Sequence, residues 1–271
     1  VAQNVVALGA KATLVAAVGS DMAAGTIRNM LEAIGATPAG LVTVDRPTTT
    51  KTRVVARAQQ LLRVDEEVDH DLTGTEIDTL QQAVATALAT ADALVLEDYN
   101  KGVLVPALIT AAVAAARARK IPVVVDPKYR NFFAYTGATV FKPNRRELEA
   151  ALGAAVDVDH PASLPAVVER VGAEALLLTL SERGMALIER GAASGAPVHR
   201  IPTTAREVYD VVGAGDTVTA YLAAMLAAGA SRLEAAVVAN FAAGVEVGKS
   251  GAATVSPAEV LEAYDHHHGR A

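Results

Sequence analysis

Asp210-Val211-Val212-Gly213-Ala214-Gly215-Asp216 leads without a break into Val218, Tyr221, Leu222, Met225 and Leu226, apolar residues at helical spacing. The stretch reads as a glycine loop opening onto a helix. Gly213 and Gly215 let backbone N–H groups turn inward around a small anion. A helix start adds unpaired donors and partial positive charge, so the place suits phosphate. Asp216 stands at the boundary, where its carboxylate can take a proton from a hydroxyl. Phosphoryl transfer to an alcohol needs such a donor cradle beside a base. A plain turn and helix cap would use the same residue types, so the loop alone leaves both readings open.

Working outward, apolar strands alternate with helical segments. Strands are expected at Ala12–Val18, Ala93–Leu96, Pro122–Val125, Val140–Lys142, Leu176–Thr179 and Met185–Ile188. Helices are expected at Asp21–Ile34, around Leu108–Ala116, from about Arg145, and near Gly215–Ala228, Leu233–Lys249 and Pro257–Tyr264. This order predicts a mostly parallel sheet with helices on both faces. Ligands in such sheets sit at the carboxyl ends of strands, where Asp98, Asp126, Asn144 and Ser181 fall. Leu41–Val44, Lys51–Ala56 and Leu61–Val64 are short, strand-like and not separated by helices. They predict a small β-layer over about 40–65, a flap that closes on substrate or an edge hairpin. Gly191–Pro197 is expected to be a surface turn.

The chain has 271 residues, room for a substantial core, and is read as a single domain. A net charge of −6 argues against bulk nucleic-acid binding, and no apolar run is long enough to span a membrane. The absence of cysteine excludes disulfides and thiolate chemistry. The expected setting is cytoplasmic. His266-His267-His268 is expected to be an unstructured tail.

Two motifs mislead. Gly244-Val245-Glu246-Val247-Gly248-Lys249-Ser250 approaches a Walker A loop, but has three residues between its glycines where four are required, and lies in a helical pattern. Gly213-Ala214-Gly215 fails the dinucleotide fingerprint, because Val218 occupies the third glycine position. Asn144-Arg145-Arg146-Glu147 reads as a capping box, and alternatively as a pair organising Mg²⁺ through water. Asp98-Tyr99-Asn100-Lys101-Gly102 and Asp126-Pro127-Lys128 each place a carboxylate and an ammonium at the expected ligand edge. Arg53, Arg57 and Arg63 add charge on the β-layer or simply form a solvated face.

Taken together and in this order, these motifs resemble the ribokinase-like (PfkB-type) carbohydrate kinases over essentially the whole chain. Pro47–Arg53, Gln59–Asp65, Asp98–Gly102, Asp126–Lys128 and Glu207–Asp210 are more closely similar to the D-glycero-β-D-manno-heptose-7-phosphate kinases. The resemblance implies ATP- and Mg²⁺-dependent phosphorylation of the heptose C1 hydroxyl, giving the 1,7-bisphosphate on the route to ADP-heptose and lipopolysaccharide. It implies that Asp216 is the base, and that the N–H groups of Gly213, Ala214 and Gly215 hold the transferring phosphoryl group. Asn144 and Glu147 would serve the metal, Ser181, Gly184, Asn240 and Gly244 the nucleotide. Lys51, Arg53, Asp98 and Lys128 would serve the sugar phosphate.

The family's first strand and its Gly-Gly-x-x-Asn motif are expected upstream of Val1, so no sugar-binding role passes to Asn4. The chain itself is expected to be a stand-alone kinase or a domain excised from a fusion with a nucleotidyltransferase. Four positions depart from the pattern. Glu97 replaces a small serine, Val212 a threonine, Ala58 an asparagine, and Phe133 an acidic residue. Another sugar kinase of the same fold, or an inactive sugar-phosphate- or nucleotide-binding protein, are the alternatives. A homodimer is expected, because exposed strand edges of the β-layer seek partners.

Overall fold

The computed structural model describes residues 1–56, 59–159, 164–191, 198–205 and 208–269, with only the backbone at 59 and 60. Arg57, Ala58, Glu207 and positions 192–197 of the expected surface turn lie outside the described residues.

The chain runs α1 (Ala2–Ala7), β1 (Thr13–Val18), α2 (Met22–Ala33), β2 (Thr37–Thr43), β3 (Thr50–Ala56), β4 (Gln59–Glu66), α3 (Thr75–Leu88), β5 (Leu94–Glu97) and α4 (Pro106–Ala118). It continues with β6 (Val123–Asp126), β7 (Val140–Phe141), α5 (Arg145–Leu152), α6 (Leu164–Val171), β8 (Ala175–Thr179), β9 (Met185–Glu189) and β10 (His199–Ile201). It closes with α7 (Ala214–Ala227), α8 (Arg232–Glu246) and α9 (Pro257–His267). The central sheet has the order β10-β9-β8-β7-β6-β5. Strands β5 to β8 are parallel, and β9 and β10 are antiparallel additions.

Strand alternation sends neighbouring residues of β6 to opposite faces. Val123 and Val125 join the core beneath α4, α5 and α6, while Val124 joins the core beneath α7, α8 and α9. Helices therefore cover both faces, as the alternating pattern predicts. Phe133, one of the departures, packs on the first core with the Arg170 guanidinium 4.1 Å above its ring.

Three expectations need correction. Leu41–Val44 does not belong to the β-layer. Residues 37–43 pair in parallel with β1, for instance Leu41 with Ala16, leaving β3 and β4 as a separate antiparallel ribbon. The histidine tract is not a loose tail. His266 and His267 end α9, and the rings of His267 and His268 stack around Phe241 and Tyr264. Helices α1, α3 and α6 were not anticipated, although in α3 Ile77, Leu80 and Leu88 are buried along one helical face.

Helix starts differ in how their N–H groups are satisfied. Helices α5, α8 and α9 each begin with a capping box, in which a polar side chain satisfies the exposed N–H groups. Helix α7 begins at Gly213 with no side-chain cap, as α1, α3 and α4 also begin. The Ala214 N–H makes only a long 3.5 Å bond to the Val211 carbonyl, so the first-turn donors of α7 remain largely available to a ligand.

Candidate active site

Asp210 builds the loop before α7. Its Oδ1 accepts from the Val212 N–H at 3.0 Å and its Oδ2 from the Gly251 N–H at 3.1 Å, which ties the loop to the segment after α8. Gly213 then turns with φ of 102°, and a Cβ there would lie 2.9 Å from Glu246 Oε1. Only glycine meets both demands comfortably. Asp216 occupies the third position of α7, so its carboxylate shares the helix mouth with the free N–H groups. It is partly exposed.

This mouth opens into a cleft of about 290 Å³ lined by Glu97, Asp98, Lys128, Lys142, Asn144, Glu147, Gly213, Gly215 and Asp216, among others. The carboxyl edge of the sheet thus delivers residues from β5, β6, β7 and β8 to one place, as the topology requires. Asp98 is nearly enclosed. Its Oδ1 accepts from the Asn100 N–H at 2.7 Å and its Oδ2 from the Tyr135 hydroxyl at 2.8 Å, so it shapes the loop it stands on.

Two groups at this edge were not singled out from the sequence. Lys142, just past β7, is buried, and its Nζ meets Asp126 Oδ2 at 3.0 Å. The same Nζ lies 3.9 Å from where a Cβ would stand on Gly215, so the ammonium faces the helix mouth. Burial pushes the Asp126 carboxyl upward, and the Lys142 charge opposes that shift. The second is Glu246, fully buried beneath Gly213, with no well-formed hydrogen bond to either oxygen and only the Ala253 N–H placed to favour its charged form. Burial and then the nearby Asp210 charge push it up to about 7. A lysine directly after a buried strand at the ligand edge was the available signal for Lys142. Glu246 carries no signal beyond being a charge inside an apolar helical pattern.

Asn144 and Glu147 form the capping box. Asn144 Oδ1 accepts from the Glu147 N–H, and Glu147 Oε2 accepts from the Asn144 N–H, both at 2.9 Å. Lys128 donates to Glu147 Oε1. Burial alone would lower the Lys128 pKa, but the Glu147 contact and the charges of Asp126 and Glu97 raise it overall, so it stays a firm cation. No group of three or more metal-ligating side chains occurs among the described residues. Each carboxylate oxygen of Glu147 still has a lone pair for a metal-bound water. This donor set fits a hydrated Mg²⁺ held mainly by phosphate and water.

The remaining candidates fall elsewhere. Gly184, Asn240 and Gly244 converge on the strip from Ile201 to Ala205. A Cβ on Gly184, where φ is 81°, would lie 2.1 Å from the Ile201 carbonyl oxygen. Asn240 donates to the Pro202 carbonyl at 2.8 Å, and a Cβ on Gly244 would meet Thr204 Oγ1 at 2.6 Å. Ser181 opens the exposed 3₁₀ turn beside Gly184, with φ of 54°. None of these four lines the cleft. Lys51 and Arg53 lie on the ribbon. Lys51 is paired with Asp65 at 3.2 Å and with Glu67, while Lys101 reaches Glu67 at 2.7 Å. Lys101 and then Lys51 hold Glu67 down to about 2. Arg53 faces Arg63 across the strands.

A doubly flanked sheet thus meets, at its carboxyl edge, a glycine-led helix that bears an aspartate. Residues 1–259 match the pfkB family of carbohydrate kinases, and the chain belongs to that family. It is 47% identical over 269 residues to the bifunctional protein HldE of Pelobacter propionicus, covering 97% of this chain and 54% of that protein. It is 46% identical over 267 residues to the bifunctional protein HldE of Caulobacter vibrioides, covering 96% and 53%. The chain thus spans about half the length of these curated relatives. Its fold is shared with phosphofructokinase-2 from Escherichia coli in complex with potassium, at a TM-score of 0.77, 18% identity and coverage of 98% and 85%. It is also shared with Arabidopsis thaliana ribokinase complexed with ribose and ATP, at a TM-score of 0.74, 19% identity and coverage of 97% and 84%.

Proposed function

We propose that this chain transfers the terminal phosphoryl group of ATP to the C1 hydroxyl of D-glycero-β-D-manno-heptose 7-phosphate, giving the 1,7-bisphosphate and ADP. The observation that carries this reading is the position of Asp216 at the third residue of an uncapped helix, in one cleft with Gly213, Gly215 and Lys142. The choice of sugar rests on the kinship with bifunctional HldE proteins and on the heptose-kinase-like runs. Those relatives are bifunctional, and a match to about half of each accords with one of two activities lying in the matched half.

In this mechanism Asp216 accepts the C1 hydroxyl proton as the oxygen attacks phosphorus. The N–H groups of Gly213, Ala214 and Gly215 and the Lys142 ammonium stabilise the negative charge on the migrating group. A hydrated Mg²⁺, oriented by Asn144 and Glu147, would neutralise charge between the nucleotide phosphates. The strip from Ile201 to Ala205, backed by Gly184, Asn240 and Gly244, is the proposed nucleoside side, with Ser181 beside it. Lys51, Arg53 and Lys128 are proposed to meet the sugar phosphate, with Asp98 on a hydroxyl. Binding there requires the substrate phosphate to displace Glu67 from Lys51. The chain is proposed to work in the cytoplasm as a homodimer and as a single catalytic unit.

A coupled ADP-release assay over heptose 7-phosphate, fructose 6-phosphate, ribose and adenosine tests the reading. Turnover is expected on the heptose phosphate. Turnover on ribose with none on heptose phosphate would reject the assigned sugar, and no turnover on any of them would favour a binding protein.

A further inference from the structure

Glu97 lines the cleft, yet the transfer chemistry above does not use it. It ends β5, and its in-register parallel neighbour is Asp126 at the end of β6. Such neighbours project from the same face of a sheet, so two carboxyl groups stand side by side. Lys142 follows β7, the next strand over, and meets Asp126 at 3.0 Å while facing Gly215. Glu97 lines the cleft with all three. Its Oε1 is closed off from solvent and has no hydrogen-bond partner.

An ionised carboxylate with a buried, unpartnered oxygen is costly, and the protonated form much less so. Burial first, then the charges of Asp126 and Asp216, push Glu97 up to about 8, against the pull of Lys142. Lys128 and Tyr99 complete the ring of titratable groups that feel its charge. Proton loss by Glu97 therefore changes the wall of the phosphate site from a neutral Asp126–Lys142 pair to a net negative cluster.

We propose that Glu97 is a positioning residue for phosphate. With its proton in place it leaves Lys142 aimed at the anion loop, and without it Glu97 draws Lys142 back and repels the incoming anion. This inference rests on the phosphoryl-transfer reading of the cleft. It makes the glutamate that replaces a small serine at this position a control on anion entry.

The test is calorimetric binding of a non-hydrolysable ATP analogue with Mg²⁺ between about pH 6.5 and about pH 9.5. Wild-type affinity is expected to fall about tenfold from near pH 7 to near pH 9. Glu97→Gln, which cannot ionise, is expected to lose the fall. Glu97→Ser, which removes the carboxyl altogether, also gives a flat profile. Carbon NMR of labelled glutamate carboxyls should show a resonance titrating in the same range that is absent from Glu97→Gln and retained in Glu246→Gln. An alkaline fall that survives in both Glu97 variants, or that vanishes only in Glu246→Gln, overturns the inference. So does a flat wild-type profile. Wild-type protein that binds no nucleotide at neutral pH overturns the kinase reading, and this inference with it.

Discussion

The Lys142 ammonium and the Asp126 carboxylate meet at 3.0 Å on adjacent parallel strands, with side-chain exposures of only 4% and 17%. Removing one partner from such a buried pair strands the other charge, at a typical cost of about 3–5 kcal/mol. Lys142→Met is therefore expected to lower the unfolding midpoint in urea substantially and to reduce turnover. The double variant Lys142→Met with Asp126→Asn should recover most of the stability and none of the turnover. Recovery of both would show Lys142 to be purely structural, and recovery of neither would show that the pair is not what couples them.

Asp216 can be tested with far less disturbance, since its carboxylate is partly exposed and its backbone, not its side chain, shapes the start of α7. Asp216→Asn keeps the volume and removes the base. Its kcat is expected to drop by about 10³-fold or more, while ATP affinity changes little. Burst kinetics and equilibrium nucleotide binding separate the two effects. Equal rates in variant and wild type would remove Asp216 from the chemistry.

The part of this site that was readable in the sequence is the part made by local backbone chemistry. A glycine loop running into a helix shows itself in consecutive residues, and so does a capping box at Asn144 and Glu147. The strands β5 to β8 were legible because buried parallel strands are continuous apolar runs. The Asp126–Lys142 pair was not legible, because it depends on which residues of β6 and β7 end side by side. Glu246 was hidden for the same reason, since only the packing of α8 against the Gly213 loop shows that it is enclosed. Leu41–Val44 was misplaced because strand propensity does not name a partner, and β1 competes for it successfully. Strand β10 is only three residues long and has no periodicity to read.

Glu246 gives the fold a pH dependence of definite sign. Its folded pKa is raised from the model-compound value of 4.5 to about 7, chiefly by burial. The folded state therefore holds a proton that the unfolded chain has lost through this interval. Stability from this group is fully present below about pH 4.5 and declines as pH rises toward about 7. Glu246→Gln, which stays neutral, is expected to gain about 1 kcal/mol or more over wild type near pH 8 and much less near pH 5. Urea titrations at both values check this, and a difference that grows toward low pH would contradict it.

The ribbon of β3 and β4 presents a different physical problem. Its register places Thr52 opposite Val64 and Val54 opposite Leu62, so Val54, Leu62 and Val64 share one face. These three are 42%, 50% and 54% exposed, while the other face carries Lys51, Arg53, Arg63 and Asp65 together with the exposed Val55. A two-stranded ribbon is marginal by itself, and an exposed apolar stripe is best covered by another apolar surface. The ionic face is engaged with Glu67 and, through it, with Lys101 of the body. The apolar face is thus free to meet its equal on a second copy, which a two-fold interface supplies without any new complementary surface. Light scattering at micromolar concentration is expected to give a dimer mass for wild type. Leu62→Asp would put a charge at the centre of that stripe and should give a monomer with its helical circular dichroism intact. A monomeric wild type, or a Leu62→Asp variant that remains dimeric, would place the contact elsewhere or nowhere.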